Sequence, residues 1–153
     1  MKIMDILVRG GVLLDLASDS KQGVLEEMSS ALAGAEPGLS SDRLLQILIA
    51  REDLQSTGIG EGVAIPHGKI AGLERLVASF ARSVKGVDFE SIDSQPTYLF
   101  FLLVVPEHSG GQHLKALARI SRFFRDPEFR EKLLQASELD DVFRAIEEED
   151  AKF

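Results

Sequence analysis

Hydrophobic and polar residues change period several times along the chain, and each change predicts an element. Val12–Leu14 is a short apolar run of strand character. From Ser20, the apolar positions Val24, Leu25, Met28, Ala31 and Leu32 recur at helical spacing until Gly34 and Pro37-Gly38 end the pattern. Ser40 and Ser41 offer side-chain oxygens to cap a second helix, Leu44–Leu54, whose Leu44, Leu45, Leu48 and Ile49 share one side. Ser56–Gly68 holds four glycines and one proline, which predicts mostly loop with a short extended piece at Val63–Ile65. Val77–Val84 alternates weakly and reads as a strand. Tyr98–Val105 is apolar throughout between Pro96 and Pro106, the pattern of a strand buried on both faces. Helices follow from about Gly111 to Phe124, from Pro127 to Gln135, and from Ser137 to about Glu148.

Helices before and after a doubly buried strand predict an α/β fold, with a sheet sandwiched between helix layers. The length, 153 residues, suits one domain. No seam in charge divides it, because residues 1–76 and 77–153 carry equal net charge. The absence of cysteine excludes disulfides, thiolate zinc sites, cysteine nucleophiles and phosphocysteine carriers, and fits a reducing compartment. A net charge of −8 argues against binding the phosphate backbone of nucleic acid. The Tyr98–Val105 run is far shorter than the ~20 residues of a membrane helix. Met1–Leu16 is interrupted by Asp5, Arg9 and Asp15 and lacks the pattern of a signal peptide, so a soluble, cytoplasmic protein is expected. Acidic residues gather at 138–150, and Glu147–Asp150 reads as a solvated run opening a frayed end over 149–153. Residues 111–132 are locally basic.

Candidate chemistry concentrates in Thr57-Gly-Ile-Gly-Glu-Gly-Val-Ala-Ile-Pro-His-Gly-Lys69. The glycine spacing is not that of a dinucleotide fingerprint, and no strand precedes it in the pattern. A P-loop fails too, because five residues separate Gly62 from Gly68 and Ile70 stands where a hydroxyl is needed. What remains is an imidazole in a stiff setting. Pro66 restricts Ile65 to extended backbone, and Gly68 removes a Cβ next to His67. A histidine nucleophile needs such presentation, with one ring nitrogen bare and the other held by a hydrogen bond. A satisfied structural histidine after a turn is the alternative.

His113 opens a stripe with Leu117, Ile120 and Phe124 at the start of a helix, whose N-terminus favours an anion. It reads equally as a buried edge histidine bonded to backbone. His108 reads as an exposed loop residue, and the three histidines lack the spacing and partners of a metal site. Arg51 closes an apolar helix stripe, either as a phosphate-binding guanidinium or as a solvated helix-end arginine. Lys115, Arg119 and Arg122 form a basic stripe, either solvated surface or a docking face.

Arg51-Glu-Asp-Leu-Gln-Ser-Thr-Gly-Ile-Gly-Glu-Gly-Val-Ala-Ile-Pro-His-Gly-Lys69 resembles the signature of the type-2 EIIA domains of the bacterial phosphotransferase system, the fructose/mannitol/nitrogen family. The resemblance continues through Phe89–Pro96, the Leu99–Pro106 strand and the His113-Leu114 helix start, and so covers nearly the whole chain. It implies a single domain with a mixed β-sheet flanked by helices on both faces, a three-layer sandwich. It further implies a soluble phosphocarrier that needs neither metal nor nucleotide. His67 matches the phosphorylated histidine, His113 the second active-site histidine, and Arg51 the arginine near the phosphate. Backbone amides around Thr57, Gly58 and Gly60, together with the Thr57 hydroxyl, are expected to help hold the phosphoryl group. The expected donor is an HPr-like phosphohistidine protein, and the acceptor a regulatory target or a separate EIIB.

Ser56–Gly60, Lys69 and a stand-alone architecture resemble the nitrogen-regulatory branch, although Glu61 stands where that branch commonly has Asn. A sugar-specific EIIA component of the fructose or mannitol type is the alternative function, and a binding module without phosphorylation a third.

Overall fold

The computed structural model describes residues 1–153. Its organising element is strand β5, Thr97–Pro106, to which three other strands pair. On one edge lie β2, Val63–Ala64, and β3, His67–Ile70, both parallel to β5 and both in the same register. Val63 pairs with Leu99 and His67 with Leu103, so Ile65-Pro66 interrupts what is otherwise one strand. On the other edge, β4, Val77–Val87, is antiparallel. A short β1, Gly58–Gly60, pairs antiparallel with β2 and forms the outer edge. The sheet is therefore mixed, as expected.

Alternation along β5 divides two cores. Leu99, Phe101, Leu103 and Val105 face helices α1 (Ile3–Ile6), α4 (Gln112–Arg125), α5 (Pro127–Gln135) and α6 (Leu139–Asp150). Phe100, Leu102 and Val104 face α2 (Lys21–Ala35) and α3 (Ser41–Leu54). These are the three layers predicted from a strand buried on both sides. The larger core is locked by edge-to-face pairs among Phe101, Phe123, Phe124 and Phe129, with ring centroids 5.3–6.0 Å apart.

Local chemistry sets the helix ends. Ser20 caps α2 by accepting from the Gly23 amide, and Ser40 caps α3 by accepting from Arg43. Asp126 caps α5, and Glu138 with Asp141 forms a capping box on α6. The C-terminal end of α5 meets the buried Arg82, whose Nη1 donates to the carbonyls of Leu133 and Ala136 while Nη2 pairs with Asp15 at 2.8 Å. A cation there complements the exposed carbonyls of the last helical turn.

Several expectations are corrected. Val12–Leu14 contributes only a single bridge, Leu13 to Ala81, with a second at Leu7–Ala78. The glycine-rich stretch is not mostly loop but the β1–β2 hairpin followed by β3. Its two-residue turn places Glu61 and Gly62 at φ 57° and 75°, the left-handed pair that a tight hairpin of matching twist requires. Asn or Gly at position 61 would suit that backbone better than Glu.

The frayed acidic end is also corrected. Glu149 and Asp150 are buried. The Asp150 carboxylate accepts from the Ile3 and Met4 amides, both at 2.9 Å, and so caps α1, while Arg119 donates to it at 3.0 Å. Glu149 lies against Asp126 and Lys152. Burial pushes its carboxyl up, whereas Lys152 draws Asp126 down to about 2. The sequence pattern misleads here because acidic residues at a chain end usually find only water. Asp150→Ala strands a part-buried guanidinium and uncaps α1, so it is expected to lower the unfolding free energy by about 2–4 kcal/mol in urea titration. A change within error would mark the end as solvated after all.

Candidate functional site

His67 begins β3 on the same sheet face as Val63 and Ile65, and therefore points toward α4. Gly68 points the opposite way, toward α3. A Cβ there would meet Ile47 Cγ2 at 2.6 Å, so only glycine lets α3 pack this closely on β3. β1 pairs only with the start of the edge strand, which leaves the edge beside His67 open. The end of α3 closes round this edge from one side and the start of α4 from the other.

The result is a cleft of about 560 Å³ in which His67, Arg51, Lys69 and His113 meet walls that include Ile47, Leu103 and Leu117. Leu54 and Leu114, 83% and 62% exposed, stand on its rim.

Both imidazoles are oriented by backbone. His67 Nδ1 lies 2.9 Å from the Ile65 carbonyl oxygen. A carbonyl oxygen only accepts, so Nδ1 carries the proton and Nε2 keeps a bare lone pair. His113 Nδ1 lies 3.0 Å from the Gly110 carbonyl and 3.3 Å from Ser109 Oγ, which fixes its tautomer in the same way. Arg51 is anchored where α3 ends, with Nη1 donating to the Gln55 carbonyl at 2.7 Å. The N-terminus of α4 has no side-chain cap; the Gln112 amide donates to the Ser109 carbonyl at 3.3 Å, which leaves the His113 and Leu114 amides open to an anion.

The His67 imidazole is held below its ordinary value, first by burial and then by the charges of Arg51 and His113. The Ile65 bond and nearby Glu52 oppose this without reversing it. The ring is therefore neutral at physiological pH. No group of three His, Asp or Glu side chains has the arrangement of a metal site.

Three predicted site residues sit elsewhere. The Thr57 hydroxyl and amide both donate to Glu52, and neither Gly58 nor Gly60 lines the cleft. The Gly58 amide donates to Ser56 Oγ at 3.1 Å. The expected phosphate cradle at Thr57–Gly60 thus lies outside the cleft, which Arg51 and the start of α4 line instead. The basic stripe is also taken apart. Arg119 is paired with Asp150 and Arg122 stacks on Phe153, 3.8 Å from its ring centroid, leaving Lys115 exposed on α4.

Lys69 was missed as a cleft residue. It lies two positions after His67 on the same strand face, a signal visible once that segment is read as a strand. Glu52, buried and paired with Lys21 at 3.2 Å, was missed because a carboxylate beside Arg51 at a helix end reads as solvated and Lys21 comes from α2.

The chain belongs to the family described as phosphoenolpyruvate-dependent sugar phosphotransferase system, EIIA 2, whose model matches residues 5–149, and it is a phosphotransferase component. It is 40% identical over 146 residues to a nitrogen regulatory protein of Bradyrhizobium diazoefficiens, covering 95% of both chains. It is 38% identical over 152 residues to a fructose-specific EIIABC component of Bacillus subtilis, of which it spans 24%. Among solved structures, the nitrogen regulatory protein IIA-Ntr of Neisseria meningitidis superposes with a TM-score of 0.88 at 37% identity, covering 94% of this chain and 98% of that one. The mannitol IIA of Escherichia coli shares the fold, with a TM-score of 0.73 at 19% identity, over 90% of this chain and 96% of that one. The chain is thus a phosphocarrier of the nitrogen-related branch of the phosphotransferase system.

Two outcomes follow from the geometry. Gly68→Ala is expected to destabilise the fold by about 1–3 kcal/mol, and adding Ile47→Ala to restore most of that loss in urea titration. In an NMR titration, His67 is expected to protonate below the ordinary imidazole value of about 6.5, and Arg51→Ala to raise its midpoint. The unfolded ring takes up its proton first as pH falls. His67 therefore contributes its full stability above about 6.5 and loses it progressively below.

Proposed function

We propose that His67 accepts a phosphoryl group on Nε2 from the phosphohistidine of an HPr-like donor protein. The observation carrying this reading is the pair of imidazoles in one cleft, each with Nδ1 spent on a backbone carbonyl. The Nε2 lone pair attacks phosphorus as the phosphorus–nitrogen bond of the donor ring breaks, and the donor ring takes back that electron pair. Such transfer proceeds through a loose transition state in which positioning and charge do most of the work. Arg51 and the open amides of α4 meet the equatorial oxygens, each charge-assisted bond contributing roughly 1.5–3 kcal/mol. Having spent its Nδ1 proton on Gly110, His113 donates to those oxygens from Nε2 only when doubly protonated.

The apolar lining and the exposed Leu54 and Leu114 support a protein donor over a small phosphorylated metabolite. No helix is long and apolar enough to cross a membrane, in keeping with action in the cytoplasm. Two relatives of which the chain covers 95% are nitrogen regulatory proteins, which favours a carrier whose phosphorylation state is read by a regulatory target protein. The 38% identity to the fructose-specific component supports the second reading, transfer to a separate EIIB during sugar uptake. That the mannitol IIA of Escherichia coli has been solved with its phosphorylated IIB partner fits such an acceptor.

Incubation with phosphoenolpyruvate, the general first enzyme and an HPr-like protein is expected to yield one acid-labile, alkali-stable phosphoryl adduct. That adduct disappears in His67→Ala and forms more slowly or less stably in His113→Ala. Full labelling of the His67→Ala protein would overturn the assignment.

A further inference from the structure

The bond that orients His67 depends on a gap in the sheet. β1 and β2 pair so that Gly58 opposes Ala64, which places Thr57 directly opposite Ile65. The Ile65 amide donates to the Thr57 carbonyl at 3.1 Å, the mark of a hydrogen-bonded antiparallel pair. Residues so placed normally exchange two bonds, and the second would run from the Thr57 amide to the Ile65 carbonyl. It is not made. The Thr57 amide instead donates to Glu52 Oε1 at 2.9 Å, and its hydroxyl to Glu52 Oε2. No backbone amide reaches the Ile65 carbonyl, and His67 Nδ1 takes that place at 2.9 Å.

We propose that Glu52 is a positioning residue for His67: by drawing the Thr57 amide away from the sheet, it reserves the Ile65 carbonyl for the imidazole and so selects the tautomer whose Nε2 is nucleophilic. A buried carboxylate is costly unless its oxygens are satisfied, and here two Thr57 donors and the Lys21 ammonium satisfy them. Lys21 itself is steadied over the Phe89 ring, 4.8 Å from its centroid. The other charged or titratable groups facing His67 are Arg51 from α3, His113 from α4 and Lys69 from β3. None of these bonds Nδ1. The control therefore passes from α2 and α3 through one turn of backbone to the ring. Its consequence for phosphoryl transfer rests on the function proposed above; its effect on the tautomer does not.

The test is the tautomer of His67, read from long-range nitrogen–proton NMR spectra of the unphosphorylated protein above the ring's titration. The wild type is expected to hold a single Nδ1–H form. Glu52→Gln retains an oxygen for the Thr57 amide and is expected to keep that form, while its midpoint falls because a negative charge is lost. Thr57→Val, which removes only the hydroxyl, is expected to keep it too. Glu52→Ala frees the amide to complete the sheet pair, so His67 becomes a mixture of tautomers and phosphorylation slows on the order of tenfold to a hundredfold. Should that variant fail to fold, Glu52→Asp withdraws the acceptor while keeping a charge for Lys21, and carries the same expectation. A folded Glu52→Ala or Glu52→Asp protein with an unchanged Nδ1–H form overturns the proposal. A tautomer shift in a protein that an HPr-like donor never labels at His67 overturns the function and leaves the positioning role standing.

Discussion

The parallel register between Val63–Ile70 and Leu99–Pro106 decides what every side chain near the cleft does. Side chains alternate along a strand, so a slip of one residue would turn His67 toward α3 and drive Gly68 under α4. The register is defended from both sides. Val63 and Ile65 have their places in one core and Ala64 and Ile70 in the other, leaving no apolar residue that could change sides without exposing itself or burying a polar neighbour. The site inherits its accuracy from this packing, since the imidazole stands on a strand fixed on two faces.

Much of this was legible in the amino-acid pattern. The unbroken apolar run of β5 announced a strand covered on both sides, and the helical periods located α2 through α6 to within a few residues. His67 stood out because Pro66 and Gly68 constrain it, and His113 and Arg51 because each lies at a helix end. The four glycines of Ser56–Gly68 disguised three short strands, because glycine signals loop in isolation. Here it serves a left-handed turn and close approaches to Ser91 and Ile47. Period-two alternation cannot declare itself in pieces of two to four residues. Partners such as Glu52 with Lys21, or Asp150 with Arg119, are set by tertiary placement, which local composition does not encode.

Charge is distributed with economy. A protein carrying −8 must receive a dianion, and it does so without a broad basic surface. Three arginines are spent on architecture: Arg82 on a helix end, Arg119 on Asp150, Arg130 on the Phe124 carbonyl. The cleft keeps Arg51 and Lys69 within largely apolar walls. Low polarity strengthens each remaining electrostatic contact.

The cap that Asp150 places on α1 also orders events in time. The bond to the Ile3 amide spans 147 residues of sequence. A ribosome makes the helix long before its capping carboxylate, so α1 waits, uncapped, while the chain between them is made. Closing so long a loop is an entropic cost met late, when the sheet and α4 already hold both ends near one another. Helix α1 is therefore made before the elements it depends on and secured after them, and it reports on whether they have found their places.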